Sequence, residues 1–528
     1  MSFPLRALLL GAALSIVVAM YSAFAGLKIG GVYWPAVTVT VISMALLNLL
    51  GKTNKHEINI AQTAASAGGL LAAGLIFTIP AIWLLGLQVG LLEIFFVSVV
   101  GGIAGIIFSV PLRREMIEKE KLPYPEGTAV AAIIEAGDKG SGKAKLVFFT
   151  IGIGALFSLL RDYFAVLPGL LSIDALKTSL SKFFSFGTSV SLIPFAGGYL
   201  IGPLFTGIWF AGAVLSNFFL IPYLVSTNAF ADKATAAGAF AAPLGIGIVI
   251  GASIAYFFIK ALPRFKTIIA DYHAAGKQSA RLYGIAIIFL TALLTVALQL
   301  NVIVSVLAIF GAFVMAYVGA RVTGEMNVDP MELFAMIVLI FAKLVFGVNA
   351  VLLVLLAAVV CISAGIAGDL MQDLKAGFLL GTKPRDQLLA QIIGVLSASI
   401  IIGVVLFALN SSYTIGSVDL PAPQAVALSA VVKASFLSLP LIMGIIVGIV
   451  AAIIVSFFSS AIAVVAFGIG IYVPIFLSFP LFVGGLLRLL ADKKKFTEKG
   501  RLLAAGCIAG EGIIGVILAL IGFVKTFL

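Results

Sequence analysis

Long runs of apolar residues follow one another along this chain and are separated by short polar links. The first runs lie near 5–26, 32–50, 60–85 and 89–110. Each run is close to the ~20 residues that an α-helix needs to cross the hydrocarbon core of a bilayer. About sixteen such segments fit the chain, one or two of them re-entrant or broken. The pattern therefore predicts an all-α polytopic membrane protein.

The composition agrees with this prediction and explains the charge. Of the 528 residues, 62% are hydrophobic and only 10% are charged, whereas ordinary soluble domains carry about 25% charged residues. The formal net charge of +11 comes from Lys and Arg in the short links. This distribution fits the positive-inside rule and does not indicate nucleic-acid binding. We expect a multi-pass protein of the cell (inner or plasma) membrane.

Three short segments of the first half recur in the second half, in the same order and at similar offsets. The matched pairs are HEINIAQ (56–62) with GEMNVDP (324–330), PEGTAVAAII (125–134) with PRDQLLAQII (384–393), and AAGAFA (236–241) with AAGCIA (504–509). Duplicated halves are an architecture of secondary transporters. We therefore predict an N-terminal repeat, 1–268, and a C-terminal repeat, 269–528, with about eight spans each.

The most unusual polar stretch is AGIAGDLMQDLKAGFLLGTKPRDQ (364–387), which lies between two apolar runs. Asp369 and Asp373 are four residues apart, so a helix places them on one face. Carboxylates inside a membrane bundle are costly and mark ion or substrate pathways. Lys375 in this stretch and Lys343 in an earlier apolar run are candidate charge partners. The alternative interpretation is an ordinary polar loop between two spans.

Three other segments carry polar groups beside apolar runs. The segment 59–69, NIAQTAASAGG, offers amides and hydroxyls that suit peptide-like ligands, or that only join helices. The segment 122–129, LPYPEGTA, is typical of a broken helix or of a turn. The segment 321–332, RVTGEMNVDPME, sets acids at the start of a span, where they could also complement a helix dipole. Glu511, between two glycines of AGEG (509–512), is a candidate proton site.

These segments define two groups of candidate functional residues. The substrate-binding candidates are Asn59, Gln62, Thr63, Ser66, Tyr124, Glu126 and Asn327. The proton-coupling candidates are Glu325, Asp369, Asp373 and Glu511. The chain has two cysteines, two histidines and no HExxH or CxxC motif, so we predict neither a metal site nor a cofactor.

The polar motifs resemble the oligopeptide transporter (OPT) superfamily, which includes the yellow stripe-like metal–chelate carriers. The motifs that carry the resemblance lie at 59–69, 122–129, 321–332, 367–387 and 509–512. They extend over nearly the whole chain in the family's order. The resemblance implies a proton-coupled importer of small peptides or of metal complexes of peptide-like chelators, with about sixteen spans and a duplicated core.

The NPG and KIPPR motifs of the eukaryotic peptide-transporting branch are missing from the sequence. Their absence favours the yellow stripe-like or prokaryotic branch. We expect alternating access between the two halves, with the ligand near the midplane. Two other classes remain as alternatives, an intramembrane aspartyl-type protease and a channel. The sequence does not indicate the oligomeric state.

Overall fold

The structure is a computed structural model of the chain and describes residues 4–32, 35–137, 140–172, 184–264, 277–327, 329–433, 438–457 and 462–525. Helices dominate these residues, as the apolar pattern predicts. Two strands of three residues each, β1 (Leu170–Ser172) and β2 (Gly187–Ser189), form an antiparallel pair that the sequence analysis did not predict. The predicted boundary between the repeats, at 268/269, lies outside the described residues.

We number the α-helices of the described residues in chain order. They are α1 (Leu5–Ile29), α2 (Ala36–Leu49), α3 (Lys55–Ile76), α4 (Pro80–Leu84), α5 (Leu91–Ser109), α6 (Pro125–Glu135), α7 (Gly140–Ser158), α8 (Leu192–Ile201), α9 (Pro203–Val214), α10 (Ile221–Ser226), α11 (Lys233–Ala236), α12 (Ala242–Tyr256), α13 (Lys277–Ala297), α14 (Val302–Met326), α15 (Met331–Phe346), α16 (Ala350–Leu380), α17 (Pro384–Tyr413), α18 (Pro423–Lys433), α19 (Leu439–Ser456), α20 (Ile462–Tyr472), α21 (Ile475–Lys493) and α22 (Thr497–Lys525).

Short segments of other helix types extend or link several of these helices. The π-helical segments are Arg113–Lys119, Leu159–Tyr163, Leu215–Leu220, Ala237–Ala241 and Phe257–Ala261, and one 3₁₀ turn covers Leu262–Arg264.

Twelve helical segments among the described residues are long and apolar enough to cross a membrane. Four shorter apolar helices, of 10–17 residues, accompany them. The number of segments is close to the predicted sixteen, and it confirms a polytopic membrane protein. The motif at 122–129 leads into α6, which has 11 residues and begins at Pro125. Proline suits this first helical position because its missing N–H would have no helical partner there.

The chain forms two compact units, and each unit takes segments from both halves of the sequence. Unit 1 comprises Met1–Phe149, Arg264–Ser429 and Gly515–Leu528, and unit 2 comprises Thr150–Pro263 and Ala430–Ile514. The internal duplication of the sequence remains a prediction, since the described residues do not test it.

Helix α16 is the centre of unit 1 and packs against α3, α5, α6, α14, α15 and α17. Small residues of its neighbours make this crowding possible. A side chain at Gly101 or Gly105 of α5 would collide with Ile362 or with the Ser363 carbonyl of α16, and one at Gly74 of α3 would also meet Ile362. Gly101 and Gly105 therefore allow the backbones of α5 and α16 to come close together.

Unit 2 contains a second close contact of backbones, between α12 and α19. An added Cβ at Gly247 or Gly251 of α12, or at Gly444 or Gly448 of α19, would fall less than 3.0 Å from backbone atoms of the other helix. These glycines thus allow the backbones of α12 and α19 to come close together. Gly202 differs from these glycines, because nothing lies within 4 Å of a Cβ added there. It separates α8 from α9 with a φ of 96°.

Gly448→Ala should destabilise the protein, because the new methyl group meets the Ile248 carbonyl of α12. Overpacking of this kind costs about 1–3 kcal/mol, so we expect a lower Tm of the purified protein in detergent. Gly207→Ala, in α9 of the same unit, is the matched control because nothing lies within 4 Å of the added Cβ. Equal melting temperatures for the two variants would contradict the close contact.

Candidate functional site

Two fully buried carboxyl groups lie side by side on α16. Asp369 and Asp373 occupy successive turns of the helix and face α3. Gln62 of α3 donates to Asp373 Oδ1 at 2.6 Å, and its own Oε1 lies 3.4 Å from Asn59 Nδ2. The structure therefore places Asp369 and Asp373 on one face of a helix, as their spacing in the sequence predicts. We call the residues Asn59, Gln62, Ser66, Asp369 and Asp373 the acid-pair cluster.

The Ser66 hydroxyl lies between the two acids. Its Oγ is 3.1 Å from Asp369 Oδ2 and 3.1 Å from Asp373 Oδ2. A serine hydroxyl carries a single proton, so it can donate to only one of the two oxygens at a time. Thr63, one turn before Ser66, is also fully buried.

Helix α17 adds two glutamines to the acid-pair cluster. Gln391 Nε2 donates to Asp369 Oδ2 at 3.0 Å, and Gln387 Nε2 donates to the backbone carbonyl of Asp373 at 2.6 Å. Gln387 fits because Gly377 leaves room for its amide; a side chain at 377 would collide with it. Among the described residues, Gln387 Oε1, Gln391 Oε1 and Asp369 Oδ1 are buried without a hydrogen-bond partner.

The start of α6 is joined to the end of α14 and to α16 by a chain of hydrogen bonds. Gln372 of α16 donates from Nε2 to Asn327 Oδ1 at 2.9 Å and accepts from the Gly127 N–H at 2.8 Å. The Glu126 N–H also donates to Asn327 Oδ1, at 3.3 Å. Gly127 is required here, since a Cβ would collide with the Gln372 carbonyl.

Tyr124 anchors the same junction from the residue before α6. The side chain is fully buried, the backbone has a left-handed φ of 40°, and the hydroxyl donates to the Ala320 carbonyl at 3.0 Å. The Tyr124 N–H donates to the Gly324 carbonyl at 3.0 Å. The predicted substrate-binding residues Tyr124, Glu126 and Asn327 therefore lie together, and the hydrogen bonds described for them join α6 to α14.

The remaining charged candidates lie apart from the acid-pair cluster. Glu325 is exposed and pairs with Arg321 at 3.3 Å, and Arg321 also binds Glu120. Lys375 is half-buried and donates to the Leu122 carbonyl at 3.0 Å. Lys343 is half-buried in the last turn of α15, where a cation complements the helix dipole.

Asp329 lies in the link between α14 and α15, outside the candidate spans. Both of its carboxyl oxygens are buried and have no hydrogen-bond partner among the described residues. Burial raises the pKa of this carboxyl to about 8, and the nearby acids Glu332 and Asp369 raise it further. The sequence analysis did not include Asp329 among its candidate residues.

Glu511 belongs to unit 2 and has a complete set of donors. Its carboxylate accepts from Arg161 Nη1 at 2.7 Å and from the Ser191 hydroxyl at 2.6 Å. It also accepts from the N–H groups of Leu192 and Ile193, at 2.7 and 3.2 Å. These two N–H groups belong to the first turn of α8, where a negative charge is favoured.

Apart from Glu325, Lys343 and Lys375, the candidate residues thus separate into three places. The acid-pair cluster brings together most of the α3 residues with Asp369 and Asp373, the α6 junction holds Tyr124, Glu126 and Asn327, and Glu511 lies in unit 2. Among the described residues, no group of three or more His, Cys, Asp or Glu side chains is placed to hold a metal ion.

Comparison with known proteins identifies the family. A family model described as "OPT oligopeptide transporter protein" matches residues 3–282 and 277–521. The chain belongs to the OPT oligopeptide transporter family. It is 27% identical over 587 aligned positions to a "Putative oligopeptide transporter" of Haemophilus influenzae, covering 94% of this chain and 92% of the relative. A protein of the same description from Saccharomyces cerevisiae is 34% identical over 146 positions, 27% of this chain and 20% of that protein.

Membership of the OPT family confirms the resemblance seen in the motifs. The members of this family are transporters and not enzymes, so the protease alternative is excluded. The paired aspartates of α16 therefore belong to a transport protein.

Three glutamines and one acid that lie in or beside the candidate site were not among the residues predicted from the sequence. Gln372 lies beside Asp373 in the acidic stretch, and Gln387 and Gln391 are four residues apart at the start of α17, so helical spacing already places them on one face. Only the fold brings the amides of Gln387 and Gln391 from α17 against α16. Asp329 was visible in the sequence only as one of the acids of 321–332, because its burial depends on how α14, α15 and α16 pack.

Glu511→Gln should destabilise the protein, because the buried Arg161 loses the carboxylate that lies 2.7 Å from its Nη1. Removing one partner of a buried ion pair costs up to about 3–5 kcal/mol, and the ion pair of Arg161 with Asp162, at 2.6 Å, keeps the cost below that value. We expect a marked drop in Tm of the purified protein. Glu93→Gln, at the exposed start of α5, is the control, and its effect should be small. If Glu511→Gln melts together with the wild type, the ion pair is not important for the fold.

Proposed function

We propose that this OPT family member is a secondary active transporter that couples the uptake of small oligopeptides to protons by alternating access. The cell (inner or plasma) membrane is the proposed location. The curated relatives are described as oligopeptide transporters, which supports a peptide substrate. Metal complexes of peptide-like chelators present similar amide and carboxylate groups and are the second proposed substrate class, on the strength of the motif resemblance.

One observation carries the proton coupling: a single hydroxyl lies between two buried carboxyl groups. Ser66 Oγ is 3.1 Å from an oxygen of each acid, but it has one proton to donate. Both contacts are favourable together only if one carboxyl is protonated and donates back to Ser66. The geometry therefore suits an acid pair that holds one proton, which it can release and take up again.

The electrostatics agree with a shared proton. Because both acids contact the same Oγ, their nearest oxygens lie within about 6 Å of each other. Two negative charges at this distance repel by about 3 kcal/mol at an effective dielectric constant of ~20. In addition, each buried charge has lost its hydration. Proton release thus raises the free energy of the closely packed α3–α16 interface and favours a different packing.

The uncharged polar groups near the acid pair suit a peptide-like ligand. Asn59, Gln62, Gln387 and Gln391 all present amides to this region from α3 and α17. Amide side chains can donate to and accept from peptide bonds at once. Gln387 Oε1 and Gln391 Oε1 have no hydrogen-bond partner among the described residues, so they are open acceptors for such a ligand.

The two-repeat organisation, 1–268 and 269–528, is also part of this proposal. Unit 1 combines the first part of each predicted repeat, and unit 2 combines the second part of each, apart from the last residues of α22. A duplicated chain whose corresponding parts pack together gives this pattern, which supports an inherited two-repeat transporter design.

Asp373→Asn should abolish the accumulation of substrate that a pH gradient drives, because the amide cannot exchange a proton with Ser66 and Asp369. The measurement is uptake of radiolabelled trialanine into proteoliposomes, with and without a pH gradient. Counterflow exchange at equal pH should persist, since it needs no net proton movement. Asp369→Asn should have the same effect.

Glu135→Gln is the control, because this carboxylate is exposed at the end of α6. It should leave gradient-driven accumulation unchanged. Full accumulation by both aspartate variants would falsify the coupling role of the acid pair. The assay is then repeated with an iron–nicotianamine complex, to separate the two substrate classes. The preferred class should compete with the other class for uptake. An ohmic current without saturable uptake would instead indicate a channel.

A further inference from the structure

The segment that leads into α6 holds its backbone in an unfavourable conformation. Lys121 and Tyr124 have φ values of 56° and 40°, in the left-handed region that residues other than glycine rarely adopt. Such a conformation costs free energy and persists only where the surrounding contacts fix it. Because the Lys121 side chain is exposed, the contacts that fix its backbone are those of its neighbours in the chain. We call residues 120–127 the α6 entry.

Polar contacts hold the α6 entry on both sides of Lys121. Before it, the Glu120 carboxylate forms an ion pair with the guanidinium of Arg321 in α14. After it, the Leu122 carbonyl accepts from Lys375 Nζ of α16 at 3.0 Å. Both contacts are only partly buried, so water can take the place of each partner at a small net cost.

The first turn of α6 is also held by hydrogen bonds, whereas its second half is packed among apolar side chains. The N–H groups of Tyr124 and Gly127 donate to the Gly324 carbonyl and to Gln372 Oε1. The Tyr124 ring is buried against Gly324. The second half of α6 contributes three buried side chains to an apolar cluster of unit 1, Val130, Ala131 and Ile134. The start of α6 can therefore detach while its second half stays in place.

The α6 entry contacts α16 directly beside the acid-pair cluster. Gln372, which accepts from the Gly127 N–H, precedes Asp373 in the chain. The two backbones are so close that a Cβ at Gly127 would lie 1.9 Å from the Gln372 carbonyl oxygen. A change in the packing of α16 at Asp373 therefore acts directly on the contact that holds the entry.

We propose that the α6 entry is a strained gate, which detaches from α14 and α16 while the second half of α6 stays packed. The strain at Lys121 and Tyr124 is released on detachment. It offsets part of the cost of exposing the Tyr124 ring and of breaking the polar contacts. The proposal rests on the proposed alternating access, since it assigns one moving segment of that cycle.

Lys121→Gly tests the strain, because glycine adopts a positive φ without a steric penalty. The closed entry becomes more stable in this variant and detaches less often. Hydrogen–deuterium exchange of the purified full-length chain reports detachment, because the N–H groups of Tyr124 and Gly127 are protected while the entry is closed. We expect their exchange to slow about fivefold or more. In the wild type, these groups should exchange faster than those of residues 369–373 in α16, which open only with a larger part of the fold.

Lys495→Gly is the matched control. Lys495 is also an exposed lysine with a left-handed φ, 55°, and it lies in the link between α21 and α22 of unit 2. This variant should leave the exchange of Tyr124 and Gly127 unchanged. The second readout is counterflow of trialanine at equal pH in proteoliposomes. Counterflow should slow in Lys121→Gly and not in Lys495→Gly, because a gate that opens less often passes less ligand.

Three results would overturn the proposal. They are wild-type exchange at Tyr124 and Gly127 as slow as at residues 369–373, unchanged exchange in Lys121→Gly, and slower exchange in Lys121→Gly with unchanged counterflow. If the wild type does not carry trialanine, counterflow is measured with the iron–nicotianamine complex. If it carries neither ligand, the proposed substrate classes fail, and the exchange comparison still decides whether the α6 entry detaches.

Discussion

The burial of two carboxyl groups in the contact between α3 and α16 is the constraint on which the rest of unit 1 depends. Asp369 and Asp373 are fully buried, so neighbouring helices must supply their hydrogen-bond donors. Helix α3 supplies Gln62 and Ser66, and α17 supplies Gln391. These contacts succeed only if three helix backbones come very close together. The packing of unit 1 follows from this requirement.

Small residues allow the helix backbones of unit 1 to come close together. They lie where a polar group of one helix contacts the backbone of another. Gly394 of α17 lies so close to α3 that a side chain there would collide with the Ala64 carbonyl. In α1, the Ser15 hydroxyl donates to the Gly394 carbonyl at 2.8 Å, which ties the same region to a further helix. Gly127 and Gly377 likewise leave room for the amides of Gln372 and Gln387. The same glycines thus allow both the close packing of the helices and the hydrogen bonds between their polar groups.

The chain accommodates buried acids in two contrasting ways. In unit 2, Glu511 is fixed by an arginine and by the first turn of α8, so its charge is permanently matched. In unit 1, Asp369 and Asp373 are surrounded by neutral donors, and Asp329 has no donor among the described residues. A permanently matched charge holds a structure in place. An acid whose hydrogen-bond donors are neutral, or that has none, can gain or lose a proton without breaking an ion pair.

The sequence by itself determined the membrane class, the helices, the family and the facing of Asp369 and Asp373, because these depend on local periodicity and on motifs of neighbouring residues. The tertiary structure decided which polar groups meet. Arg161 and Glu511 are 350 residues apart, and Ser66 and Asp373 are 307 apart; no local pattern relates them. The tertiary structure also distinguished Glu511 from Asp369 and Asp373. In the sequence, all three are carboxylates within apolar segments and look equivalent. Burial and hydrogen-bond partners are properties of packed helices, and they cannot be read from one helix alone.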